Sequence, residues 1–215
     1  MDNTSKTRLL TVAIATVIVL SILYFIPVPI PYKKEFPMLS LFGFGFVLQS
    51  WPIIIAALFS MIGDLFGDLH NMPLQMASFA VAHFFYIGYF LARGLRLKKK
   101  GGVSGTWFAI CTVSAVAVYF LCVEKVIPFA PEGVLRTGFY IYGAIVVTMM
   151  WSALMQKDWY WGVGGVLFVL SDSLIAINGF VTPVPHERLL IMSTYYAAQI
   201  LIFYRAALEH NGWKQ

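Results

Sequence analysis

An all-α integral membrane bundle, polytopic and built from eight transmembrane helices, is what this chain predicts. Hydrophobic residues make up 60% of its 215 positions and charged residues 12%, with a mean hydropathy of +0.78, far from the composition of a soluble domain. The apolar residues come in runs close to the roughly 20 that a helix needs to cross a bilayer. Proline, glycine and polar clusters break these runs at short intervals, leaving no stretch for a soluble domain. Residues 1–215 therefore read as one transmembrane domain.

The first run, residues 9–26, follows a short polar and basic start and imitates a signal peptide. It is about 18 residues long and leads into Pro27-Val28-Pro29-Ile30-Pro31 without an Ala-x-Ala-like site, so it reads as a retained span. Residues 36–49 and 52–67 follow, split by the tight break Gln49-Ser50-Trp51-Pro52. Both are short for full spans, and seven is the rival count. The remaining spans are 74–93, 103–123, 134–154, 159–180 and 188–208. Their breaks are marked by His70-Asn71, by the basic run ending at Lys100, by Pro128 and Pro131, by Lys157-Asp158, and by Pro183 and Pro185.

Charge sets the expected orientation. With eight spans, ten basic residues fall on the side of the two termini: Lys6, Arg8, Arg93, Arg96, Lys98, Lys99, Lys100, Lys157, Arg205 and Lys214. Five fall opposite: Lys33, Lys34, Lys125, Arg136 and Arg188. Cytoplasmic loops carry the excess of Lys and Arg, so both termini are expected in the cytoplasm, with the bacterial inner (plasma) membrane as the expected location. The net charge of +5 is thus topological. No basic face with interleaved aromatics points to nucleic acid. Cys111 and Cys122 share one apolar run and fit neither a disulfide framework nor a zinc knuckle.

Ionisable residues inside spans are costly, and they mark sites by default. Asp64 closes the apolar run that begins near Ile53. Asp172 has mostly apolar residues on both sides. In the eight-span orientation both come late in outward-running helices, so both are expected in the outer half of the bilayer as one two-carboxylate site. A weak four-plus-four repeat sets Gly63-Asp64-Leu65 and His83 against Ser171-Asp172-Ser173 and Gln199. Asp68 shares the face of Asp64 one turn on and is expected at the mouth of the site. His83, Tyr86, Tyr142, Tyr195 and Gln199 fit either interhelical hydrogen bonding or substrate contact. Lys34 and Arg136 stand at helix starts, as topology signals or as holders of a phosphate.

Asp64, His83 and Asp172 could make a zinc set, but membrane zinc hydrolases commonly use more than one histidine, so a site without metal or other cofactor is expected. No Gly-x-Ser-x-Gly elbow suggests a serine hydrolase. A proton-coupled or lipid transporter is the second reading, although Gly43-Phe44-Gly45 and Gly162-Val163-Gly164-Gly165 are poor counterparts for matched helix breaks.

Five segments arrive in a recognisable order: Ala57-Leu-Phe-Ser-Met-Ile-Gly-Asp64, Phe79-Ala-Val-Ala-His83-Phe-Phe-Tyr86, Tyr142 with Met149 and Ala153, Gly165-Val-Leu-Phe-Val-Leu-Ser-Asp172-Ser-Leu, and Tyr195-Tyr-Ala-Ala-Gln199-Ile-Leu-Ile. In these segments the chain resembles the YhhN-like family, which includes the mammalian TMEM86 lysoplasmalogenases. One departure is that the family's Lys-Pro appears here as Lys34-Glu35-Phe36-Pro37.

The resemblance implies an eight-span hydrolase that cleaves the vinyl ether bond of a lysophospholipid, with substrate and bilayer lipids as its partners. Vinyl ether hydrolysis needs one carboxylic acid and one carboxylate, the division of labour seen in glycosidases. Asp172, desolvated among Leu167, Phe168 and Leu170, is the expected acid. Asp64, near donors such as Ser60, is the expected base, with the reverse assignment open. His83, Tyr86, Tyr142, Ser171, Tyr195 and Gln199 would orient the acids or the glycerol oxygens. Lys34 or Arg136 would attract the phosphate.

Overall fold

In a computed structural model of the chain, which describes residues 2–98 and 102–212, the apolar runs fold as eight α-helices. They are α1 Asn3–Phe25, α2 Phe36–Leu48, α3 Trp51–Asp68, α4 Met72–Lys98, α5 Gly105–Lys125, α6 Val134–Leu154, α7 Trp159–Phe180 and α8 Glu187–His210, with a single 3-10 turn at Ile127–Phe129. No strand occurs among the described residues. Helix starts follow local chemistry. Asp2, Ser104 and Asp158 cap α1, α5 and α7 by accepting from Ser5, Trp107 and Tyr160 backbone N–H groups, while proline stands in the first turn of α2 and α3, where its missing N–H costs nothing.

Seven of these helices are long and apolar enough to cross a membrane; α2, with 13 residues, is the shorter one. At about 1.5 Å per residue it spans roughly 20 Å, against about 30 Å of hydrocarbon. It nevertheless reverses the chain, because Lys34 just before it reaches the end of α3 while Gln49 just after it donates to the Phe203 carbonyl of α8 at 2.7 Å. The described residues therefore hold eight α-helices, seven of them of spanning length. Of the residues counted for orientation, Lys99, Lys100 and Lys214 lie outside the described residues.

The chain forms two compact units, Met1–Tyr86 with Ile200–Gln215, and Ile87–Gln199. Their boundaries fall within α4 and α8, so they do not follow the four-plus-four division suggested by the weak repeat.

In the first unit, Leu10, Ala13, Val17 and Ser21 form the buried stripe of α1, spaced for one helical face. α2 packs on α1 and on α3. Asn211 Nδ2 donates to the Leu48 carbonyl at 3.2 Å, tying the end of α8 to the end of α2. Gly63 marks where α3 meets α4: a Cβ there would stand 2.9 Å from the Phe79 ring.

In the second unit, α6 and α7 meet closely at Gly165, where a Cβ would lie 3.0 Å from that of Ala153. Trp107 and Trp151 join α5 to α6 through their indole N–H groups, to the Leu154 carbonyl at 3.1 Å and to Thr112 Oγ1 at 3.1 Å. Arg93, counted in the sequence as an orientation charge, is buried. Its guanidinium donates to Gln156 Oε1 at 2.9 Å, and the Gln156 amide in turn donates to the carbonyls of Phe90 and Ser152. Outside this core α5 turns Val113 and Phe120, 68% and 62% exposed, away from the unit. Such a surface suits a lipid environment and would be unusual in water.

Candidate active site

The first unit builds its charged cluster from the segment before α2 and the last turns of α3. Asp64 is 2% exposed and Ser60, one turn earlier on the same face, is fully buried. Lys34 Nζ donates to the Asp64 backbone carbonyl at 3.1 Å and stands 4.0 Å from Asp64 Oδ1 and 3.2 Å from Asp68 Oδ1. Gly67 makes this path open, since a Cβ there would lie 2.7 Å from Lys34 Nζ. Burial alone would lower the Lys34 ammonium, but Asp64 and Asp68 outweigh it and the net shift is upward. Lys34 is therefore committed to two carboxylates at the end of α3. His83 and Tyr86 are buried on α4 in the same unit, past the Phe79 crossing.

Glu35 belongs to this cluster and sequence reasoning assigned it no role. It is 7% exposed, and neither carboxylate oxygen has a hydrogen-bond partner among the described residues. It is the N-cap of α2, yet its side chain makes no capping bond. Burial, then the negative charge of Asp68, raises its pKa from 4.5 to about 7. The signal in the sequence was a third acidic residue placed directly beside Lys34 after the proline-rich break.

The second unit holds Asp172. Tyr142 Oη donates to Asp172 Oδ2 at 2.7 Å from α6, in line with the antiparallel α6–α7 contact two turns away at Gly165. A cavity of about 50 Å³ adjoins the pair, lined by Cys122, Tyr142, Val146, Val169, Asp172 and Ser173, with room for a water or two. Ser171 Oγ donates to the Ile191 carbonyl at 3.1 Å, fastening α7 to α8. Tyr195 and Gln199 are buried on α8, with the Tyr195 ring edge-on to Phe168 at 5.5 Å.

The contrast in burial runs opposite to the one expected: Asp64 is the buried carboxylate, whereas Asp172 is only partly enclosed and its neighbour Leu170 is 45% exposed. On a helix of spanning length the exposed Leu170 faces lipid, so the surroundings of Asp172 stay apolar while Asp64 is the more enclosed of the two. Arg136, expected as a phosphate holder, directs its guanidinium to the Ala130 carbonyl at 2.7 and 2.9 Å and to Glu132 at 3.3 Å. This closes the turn before α6. Among the described residues no three His, Cys, Asp or Glu side chains gather as metal ligands.

Comparison with known proteins follows the same residues. The model of the YhhN family matches residues 11–206. The chain is 33% identical to human lysoplasmalogenase TMEM86A over 176 residues, covering 74% of this chain and 68% of that protein. Lysoplasmalogenase TMEM86A of Bos taurus is 35% identical over 176 residues, with the same coverage of 74% and 68%. Human lysoplasmalogenase TMEM86B is 35% identical over 176 residues, 79% of this chain and 71% of that protein. No solved structure matches the chain. The family match over nearly the whole chain and three relatives covered over most of their length carry one conclusion: the chain belongs to the YhhN family.

Proposed function

We propose that this integral membrane protein hydrolyses the vinyl ether bond of a lysoplasmalogen-type lysophospholipid, releasing a fatty aldehyde and a glycerophospho-base. The observation that carries this reading is the similarity to lysoplasmalogenases over most of both chains. The buried charged cluster at Asp64 and the hydrogen-bonded Asp172 supply acid and base groups of the kind the reaction requires.

The chemistry divides between the two carboxyl groups. Asp172, with Oδ2 accepting from Tyr142 and the proton on Oδ1, gives that proton to the vinyl carbon distal to the ether oxygen. The π pair becomes the new C–H bond, and an oxygen lone pair makes the adjacent carbon an oxocarbenium. Asp64, beside the Lys34 ammonium, carries the negative charge. It takes a proton from the water that adds to that carbon, giving a hemiacetal. The hemiacetal hydroxyl returns a proton to Asp172 as the carbon–oxygen bond to glycerol breaks, and Asp64 passes its proton to the departing oxygen. Both groups end as they began.

Ser60, His83 and Tyr86 are candidates to support Asp64, and Tyr142, Ser171, Tyr195 and Gln199 to support Asp172 or the glycerol oxygens. Lys34 serves Asp64 and Asp68 first, so its role is electrostatic and internal. The excess of basic residues at the termini and in the loops on their side supports cytoplasmic termini in the inner membrane, which labelling of single engineered cysteines with an impermeant reagent tests.

The direct test is aldehyde release by the purified protein from a lysoplasmalogen and from its saturated-ether analogue. Release from the vinyl ether alone is expected, and full activity in Asp64→Asn or Asp172→Asn removes that residue from the mechanism.

A further inference from the structure

The chemistry above leaves one member of the charged cluster unused. Glu35 is buried with no donor to either carboxyl oxygen among the described residues, close enough to Asp68 to donate to it when protonated, and next in sequence to the lysine that serves Asp64. Asp64, Asp68 and Glu35 all act on the Lys34 ammonium. Ionising Glu35 as well would add a negative charge beside Asp68 in a largely desolvated place, which is costly. A neutral Glu35 avoids that charge and leaves Lys34 between Asp64 and Asp68. The charged groups that act on Glu35 are Asp68 from α3 and Lys34 beside it. Besides Glu35, those that act on Lys34 are Asp64 and Asp68 from α3 and Tyr24 from α1.

We propose that Glu35 is a positioning residue for Asp64: as a neutral acid it leaves the Lys34 ammonium with Asp64 and Asp68, and as a carboxylate it draws that ammonium away, so hydrolysis fails on the alkaline side. Glu35 acts through Lys34 and does not touch substrate. The proposal rests on the assignment of Asp64 to the reaction. Burial and Asp68 raise the Glu35 pKa to about 7, which puts the switch within the physiological range.

The experiment compares wild type and Glu35→Gln, both purified in detergent, for aldehyde release from a lysoplasmalogen between pH 6 and 9. Alongside it, infrared spectroscopy follows the carbonyl band of a protonated carboxyl group over the same range. The wild type should lose about tenfold or more of its activity between pH 6.5 and 9, as a group titrating near neutrality would, and the carbonyl band should lose one carboxyl group's share with the same midpoint, the share of Asp172 staying. Glu35→Gln, fixed in the neutral form, should lack both the alkaline fall and that titrating share of the band. A Glu35→Gln pH profile with the wild-type midpoint overturns the proposal, as does a folded Glu35→Gln without activity at any pH, which would make Glu35 the reacting acid.

Where Glu35→Gln fails to fold, Asp68→Asn takes its place. Removing that neighbouring charge should move the midpoint of the carbonyl band to lower pH, and an unmoved band overturns the assignment. An inactive wild type whose band still titrates near neutrality sinks the hydrolase reading alone. An active wild type without such a band sinks the Glu35 proposal alone.

Discussion

Asp64 and Asp172 are carboxylates on similar stretches of apolar helix, but the two units treat them differently. Asp64 is enclosed, with an ammonium near its carboxylate and two more acidic side chains in the same cluster. Asp172 is partly open and accepts from the Tyr142 phenol beside a small cavity. The two carboxyl groups thus differ most in the charge beside them; if they divide the reaction as proposed, the ammonium beside Asp64 favours it as the base.

Breaking either carboxylate is the strongest way to test that contrast. Asp64→Asn and Asp172→Asn should each lower aldehyde release by roughly 10²–10⁴-fold, the range for loss of a positioned acid or base, with the folded protein retained in gel filtration. If base and acid follow local charge, lowering the pH should recover neither variant.

Removing the ammonium comes next. Lys34→Met removes the ammonium beside the buried Asp64, and loss of one partner of a buried pair costs about 3 kcal/mol or more, to be read as a lowered melting temperature in detergent. Lys34→Arg should recover part of it. An Asp172→Asn protein should lose less, since the Asn oxygen can still accept from the Tyr142 phenol.

Glu35 gives a graded version of the same test. Its carboxyl ionises near 4.5 when exposed and at about 7 here, so the folded state binds the proton more tightly. The stabilising contribution is complete below pH 4.5 and is lost as the pH rises through 7. At about 1.4 kcal/mol per pH unit this amounts to about 3 kcal/mol. Melting curves of wild type and Glu35→Gln should therefore diverge across that window and run parallel above it.

The smallest effect belongs to Tyr142→Phe. Loss of one hydrogen bond to Asp172 should cost about 1 kcal/mol of stability and roughly tenfold in activity, read from melting and initial rates. A larger loss of stability than in Lys34→Met would reverse the ranking of the two environments.

Most of the architecture was legible in the chain. Apolar runs and their proline-marked breaks place α6 and α7 at the residues found, because a span's length is dictated by the bilayer and its ends by residues that cannot continue a helix. α2 was harder: a short run beside a tight break reads equally as half a span or as a helix folded back on its neighbour, and only the Lys34 and Gln49 contacts decide it.

At the site, Asp64, Asp68 and Lys34 announced themselves as charges at helix ends, yet their partnership is a contact across thirty residues that no local pattern encodes. Arg136 looked available because its sequence neighbourhood does not reveal that the preceding turn points a carbonyl at it. Arg93 looked like a loop charge because Gln156, which pairs with it, lies more than sixty residues on. Glu35 was hidden by its position, since an acidic residue just ahead of a helix ordinarily reads as a cap.

The central claim is that hydrolysis starts with proton transfer to carbon. The measurement that reaches it most directly is lysoplasmalogen turnover in deuterated water, with the aldehyde reduced as it forms and analysed by mass spectrometry. One deuterium on the carbon next to the former carbonyl is the predicted result. Aldehyde without that deuterium, or no aldehyde at all, would contradict it.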